Sequence, residues 1–473
     1  MLAPARAQNS AGDLAASWAD FNHYVLIARP DLAAASAKQL IAGDQYKLLD
    51  TVEASDYRDD FGRILERARR TKGLEELADQ LAKKIQDAKI ARSREGKRIA
   101  DDILKLSGGT RENLNATARL AAAGQFAAPQ FLGTLLNDRA SNLHPFVLKA
   151  VVSIGQPMIA PLATALPQLP PRAMIQVAQS LADIGYPRAL PAIKQVLENP
   201  QTDPDARKAV QAAYTRLSAA SNLPGDLSAA QLHLRLGQNF YQTATVGGSL
   251  PGFDEPKNVG ILWEYKPDIG LIAIEVPGKV YGDVLAMRSA HEALTLAPDM
   301  EQALVLWLTA NLRRENRLGG QPDLSYPSNL REPGYYLKLA GPTRQHAVLE
   351  RALEDGDVAL AFDAINALAD TAGASSLVSK TAGSQPLIRA LYHADRRVRI
   401  RAALVLARAR GCNLLLAATV WCVCWLRRFV PRIFVTLWHW HRMVTTLRAL
   451  PLACVNRVSK SSPQPTWHPL VHN

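Results

Sequence analysis

Three stretches of this chain repeat one another at an almost constant interval, and that interval restricts the fold more than any other feature of the sequence. "LAAAGQFAAPQFLGTLL" begins at Leu120, "VVSIGQPMIAPLATAL" at Val151 and "LADIGYPRALPAIKQVL" at Leu181. Their glycines, Gly124, Gly155 and Gly185, are 31 and 30 residues apart, and Pro129, Pro161 and Pro191 follow five or six residues later. A helix that ends at a glycine uses that residue's freedom to adopt positive φ. A proline just beyond is tolerated in the first turn of the next helix, where its missing N–H costs nothing. Each repeat therefore predicts a helix, a short turn and a second helix. Apolar positions such as Val177, Leu181 and Ile184 fall at helical spacing within them. One such hairpin cannot bury its apolar face alone, but stacked hairpins can.

The repeated segments resemble HEAT-like repeats, in the short form of roughly 30 residues also seen in phycobilin-lyase-type arrays. The last part of the body carries the pattern most clearly. In "DRRVRIRAALVLARA", Asp395, Val398, Arg399, Ala402, Ala403 and Leu406 match the first helix of that family, and "DGDVALAFDAINALAD" around Asp357–Asp370 looks like a preceding partner. The resemblance runs over about 111–217 and 335–410. Between these arrays, Ala286, Ala290, Ala293, Leu294, Leu296, Pro298 and Ala303 stand where a tetratricopeptide repeat would have them. "AAQLHLRLGQNFYQTA", with Leu236, Gly237 and Tyr241, is similar to the first helix of another such unit.

That unit is interrupted. "GILWEYKPDIGLIAIEV" is rich in β-formers around the turn residues of "KPDIG", which predicts a β-hairpin over 260–276. The expected fold is all-α: a right-handed α-solenoid of stacked helical hairpins with one small β-hairpin insertion. Its expected divisions are a helical N-terminal region (9–110), a HEAT-like array (111–222), a tetratricopeptide-like unit with the hairpin (223–333) and a second HEAT-like array (334–410). In the N-terminal region, Trp18, Phe21 and Tyr24 form one helix face expected to be core, and the mixed acids and bases of residues 61–104 read as a solvated helical surface.

From Gly411 onward the composition changes. Seven of the 55 basic residues and none of the 43 acidic ones lie there, so the preceding 410 residues carry a net charge of only +5. Five of eight tryptophans and all four cysteines, Cys412, Cys422, Cys424 and Cys454, also fall in 411–473. The break comes inside a repeat, which suggests out-of-frame sequence; coding DNA whose other frames do not continue the repeats beyond codon 410 would refute this. The apolar run Leu414–Leu426 is shorter than a membrane span, and C-x-C is a poor zinc pattern. This end is expected to promote aggregation or membrane association, and membrane contact is expected through it alone. At the other end, Ala5-Arg6-Ala7 has the small-x-small form of a signal-peptidase site, with no charged and apolar region before it. Residues 1–8 then read as a remnant of a cleavage region, which slightly favours an exported or periplasmic location over a cytoplasmic one.

The body has no P-loop, dinucleotide fingerprint, H-E-x-x-H or G-x-S-x-G. Its histidines share no spacing. No catalytic, cofactor-binding or metal-ligating residue is assigned, and no cofactor is expected. The near-neutral body argues against a nucleic-acid partner. The chain is therefore read as a non-enzymatic helical-repeat scaffold or adaptor for a protein or peptide partner. Exposed hairpin edges can pair with an extended peptide, for which Trp263 and Tyr265 would be anchors; the more ordinary role for both is packing onto neighbouring helices. Two other readings stay open: a chromophore- or cofactor-handling lyase of the HEAT-like group, and a membrane-associated scaffold held by 411–473.

Overall fold

The structure is a computed structural model that describes residues 11–55, 60–221, 226–377 and 385–409. The cleavage-region reading at 1–8 and the atypical stretch 411–473 lie outside these residues. The chain divides into two compact units, 1–402 and 403–473.

Six helices open the chain: α1 (Ala11–Leu26), α2 (Pro30–Ala42), α3 (Gln45–Ala54), α4 (Phe61–Arg69), α5 (Glu75–Ser93) and α6 (Gly96–Lys105). Trp18 and Phe21 of α1 are fully buried, among leucines and alanines of α2, α3 and α5, with Tyr24 at the margin of that cluster. This is the packing their spacing predicted.

The repeats follow as α7 (Thr110–Ala123) and α8 (Ala128–Leu136), α9 (His144–Ile154) and α10 (Ile159–Ala165), and α11 (Pro171–Ile184) and α12 (Leu190–Glu198). Each first helix stops at its glycine, and Gly124, Gly155 and Gly185 all have positive φ, of 56°, 76° and 75°. A single 3-10 turn then leads into the second helix. α13 (Pro204–Ala219) follows, capped by Asp203, whose carboxylate accepts from the backbone N–H of Asp205 and Ala206. Next comes α14 (Ala229–Val246), which opens on a capping box between Ser228 and Gln231.

Two rows result. α7, α9, α11 and α13 pack side by side in one, and α8, α10, α12 and α14 in the other. One continuous apolar cluster runs through both. The chain is a helical-repeat protein, an all-α solenoid of stacked hairpins with a small sheet inserted.

That sheet is larger than the expected hairpin. β2 (Val259–Lys266) and β3 (Gly270–Pro277) pair antiparallel about a Pro267–Ile269 turn, with Val259 opposite Pro277 and Lys266 opposite Gly270. A two-residue strand, β1 (Phe253–Asp254), pairs with the start of β2, giving the order β1-β2-β3. The segment leading into the hairpin is thus partly strand.

α15 (Tyr281–Leu296) returns against α14, and α16 (Glu301–Leu318) packs on α15. Gly237 is a point of close approach between α14 and α15: a Cβ there would sit 3.1 Å from Ser289 Cβ and 3.2 Å from the Ala286 carbonyl oxygen. The small residues singled out in the sequence are what let these helices close on each other. The chain continues through α17 (Pro333–Leu339), α18 (Pro342–Asp355), α19 (Val358–Thr371), α20 (Ala374–Leu377), α21 (Pro386–Arg389) and α22 (Arg396–Ala409). Among the described residues no single helix is long and apolar enough to cross a membrane.

Candidate functional site

The sheet does not stand away from the solenoid. β2 packs on α10 and β3 on α8, so the hairpin lies across the beginning of the second helical row while α14 closes its end. Between them is a cleft of about 750 Å³, bounded by the end of α7 and the turn after it, by the starts of α10 and α12, by α14, by the Ser249–Phe253 connection, by β2 and by α15. Its size falls within the range of sites that hold small molecules or short peptide segments.

The floor is built by the repeat itself. The residue after each repeat glycine, Gln125, Gln156 and Tyr186, lines the cleft, so one polar group arrives per repeat. Gln125 is occupied within the fold: its Oε1 accepts a 3.0 Å hydrogen bond from Trp263 Nε1, and its Nε2 donates to the Gly252 carbonyl. Gln156 is exposed, and its side chain has no protein hydrogen bond among the described residues.

Three arginines reach the cleft. Arg94, just after α5, pairs with Asp254 at 2.6 Å and lies 4.2 Å over the Phe126 ring. Arg288 of α15 bridges Glu264 at 3.6 Å and Glu292 at 3.4 Å. Arg188, in the turn before α12, sits between the rings of Tyr186 and Phe240, 5.1 and 5.9 Å from their centroids. No carboxylate pairs with Arg188 among the described residues. The residue is half-buried.

His233 of α14 is buried in the same wall, with Nε2 3.4 Å from Gln195 Oε1. Burial pushes its pKa down to about 4, outweighing the opposing pull of Glu292. At neutral pH it is an uncharged imidazole with a hydrogen-bonding partner. Tyr281 closes the inner end: its hydroxyl donates to the Pro251 and Ile261 carbonyls at 2.7 and 3.0 Å, and burial raises its pKa.

Trp263 and Tyr265 are only 3% and 9% exposed, and both belong to the apolar cluster of the helical rows. Trp263 is fixed edge-on to Phe126 and bound to Gln125, and it lines the cleft; Tyr265 packs in the core and does not. The structure thus places both against the helices rather than at an open hairpin edge. Sequence reasoning missed Arg188, Gln125 and Gln156. The one available signal was the position after each repeat glycine, which is polar or aromatic in all three repeats.

A second cleft, of about 660 Å³, lies between α14, α16 and α18. Its arginines have carboxylate partners: Arg344 meets Glu301 at 2.5 Å and Arg351 meets Asp355 at 3.3 Å. It offers no unpaired cation among the described residues, so the first cleft is the better candidate.

No protein-family model matches the chain, and no curated protein matches it. Among solved structures, a "circular tandem repeat protein with novel repeat topology and enhanced subunit contact surfaces" aligns with 87% of this chain and 96% of its own, at 13% identity and a TM-score of 0.21. At that identity and score, the similarity carries nothing about ligand or activity.

Proposed function

We propose that the protein is a non-enzymatic scaffold of HEAT-like hairpins and a tetratricopeptide-like helix pair that holds an extended peptide segment of a partner protein in the cleft beneath the hairpin. The observation that carries this reading is the periodic floor. Amide and aromatic groups delivered once per repeat suit a ligand that is itself periodic, and an extended backbone presents a donor and an acceptor at every residue. The ionisable groups along the cleft support binding over catalysis. Glu292 is engaged by Arg288, and His233 is neutral at physiological pH and has too low a pKa to act as an efficient general base.

A photo-crosslinking amino acid in place of Gln156, compared with one in place of the exposed Leu114 on α7, tests the proposal in cell extract. A protein captured from position 156 and not from 114 is the expected result. If position 156 captures no protein and a small molecule accompanies the purified chain instead, the scaffold reading fails and the lyase reading replaces it.

A further inference from the structure

The cleft contains, within the chain itself, an example of the contact it offers to a partner. At the first repeat the connection before the hairpin runs past the floor, and two of its groups are taken up. Gln125 Nε2 donates to the backbone carbonyl of Gly252 at 3.3 Å. Two residues later the Asp254 carboxylate, only 6% exposed as a residue, is bound by Arg94, whose guanidinium rests on Phe126. A glutamine holds a carbonyl, and an arginine laid on an aromatic ring holds an acid.

The same parts recur farther along the floor. Gln156 follows Gly155 as Gln125 follows Gly124. Arg188 lies against Tyr186, which follows Gly185, and against Phe240 from α14. A cation–π contact alone is common and marks no site. Here Arg188 is also half-buried, lines a cleft of about 750 Å³ and has no carboxylate partner among the described residues, while Arg94 pairs with one carboxylate and Arg288 with two. The two rings restrict the rotamers of Arg188 and remove part of its hydration, so a planar anion gains more there than at a solvated lysine.

We propose, building on the peptide-holding reading above, that the cleft selects a segment bearing a carboxylate, received by Arg188 while Gln156 takes a backbone carbonyl of the same segment. The charge arrangement supports an acidic occupant, because the acids of the cleft are already paired and Arg188 is the one cation left over among the described residues.

The test uses the full chain and two labelled, amidated hexapeptides: Ser-Leu-Pro-Gly-Phe-Asp, which copies the internal segment, and its counterpart ending in Asn. Fluorescence anisotropy should show the Asp peptide binding about tenfold more tightly, the scale of one charge-assisted pair. Arg188→Gln should abolish the difference, and Arg188→Lys should restore part of it. The internal copy cannot be displaced by micromolar peptide, because its effective concentration is on the order of millimolar. Equal affinity for the two peptides overturns the selectivity and leaves peptide holding intact. No binding of either peptide overturns both. If Arg188→Gln does not fold, the Asp-against-Asn comparison on the unaltered chain still decides.

Discussion

Arg313 Nε donates to Asp283 Oδ1 at 2.6 Å, and the two side chains are respectively 1% and 0% exposed. Arg317 reaches the other carboxylate oxygen at 3.1 Å, while Arg313 lies 3.4 Å over the Tyr241 ring and donates to the Tyr241 carbonyl. This buried knot ties α14, α15 and α16 together. Removing Arg313 leaves the buried Asp283 carboxylate with only the half-exposed Arg317, so Arg313→Met should cost about 3 kcal/mol of stability. Adding Asp283→Leu to Arg313→Met should cost much less than the two single changes summed. Urea unfolding of the four proteins measures both quantities.

Trp263 and Gln125 join positions 138 residues apart. Trp263→Phe keeps most of the ring but removes the donor, stranding Gln125 Oε1 at a cost of about 1–3 kcal/mol. Trp263→Ala also leaves a cavity, for a loss of about 3–5 kcal/mol. Because the ring pins the hairpin to the helical rows, tryptic cleavage at the exposed Lys257 should accelerate more in Trp263→Ala than in Trp263→Phe.

Gly260 lies beneath Tyr281, where a Cβ would come within 2.0 Å of the ring. Gly260→Ala must displace that ring and weaken its hydrogen bonds to Pro251 and Ile261. Overpacking of this kind costs about 1–3 kcal/mol before the lost bonds are counted. Gly133, within α8, has nothing within 4 Å of its Cβ position. Gly133→Ala should instead stabilise by about 0.5–1 kcal/mol through helix propensity. Opposite shifts of the thermal midpoint are the expected outcome.

The His233 imidazole has a folded-state pKa of about 4, below its ordinary value of 6.5. Between those values the unfolded chain binds a proton that the folded chain refuses. Stability is therefore complete above about pH 6.5 and falls as the pH drops toward 4, by up to about 1.4 kcal/mol per unit. His233→Gln should remove this part of the acid sensitivity. Unfolding midpoints of both proteins at pH 7 and pH 5 give the comparison, and an unchanged difference between the two pH values would refute it.

The helices were legible because their signals are local. A glycine every 30 or 31 residues stops a helix whatever surrounds it, and the prolines that follow can stand only near the start of another. The Gly237 approach and the strand pair around Pro267–Ile269 were legible for the same reason. β1 was not, since Phe253 and Asp254 show no alternation and become strand only by lying beside β2. The cleft was hidden more deeply. Arg188 reads as one more surface cation until α14 brings Phe240 against it from 52 residues away. Trp263 and Tyr265 stood out by residue type, but type could not distinguish an exposed edge from a face folded onto α8 and α10.

The clasp between Gln125 and Trp263 also bears on how a chain like this can change over generations. Repeat arrays commonly gain and lose units by duplication, because each unit touches only its neighbours. Here a unit added or removed between α8 and α14 would carry the hairpin one repeat away from the glutamine that receives it. The count of hairpins between those two points is thereby locked. Variation in length among descendants of this chain should gather outside the clasped span, and the region between Gln125 and Trp263 should be inherited whole.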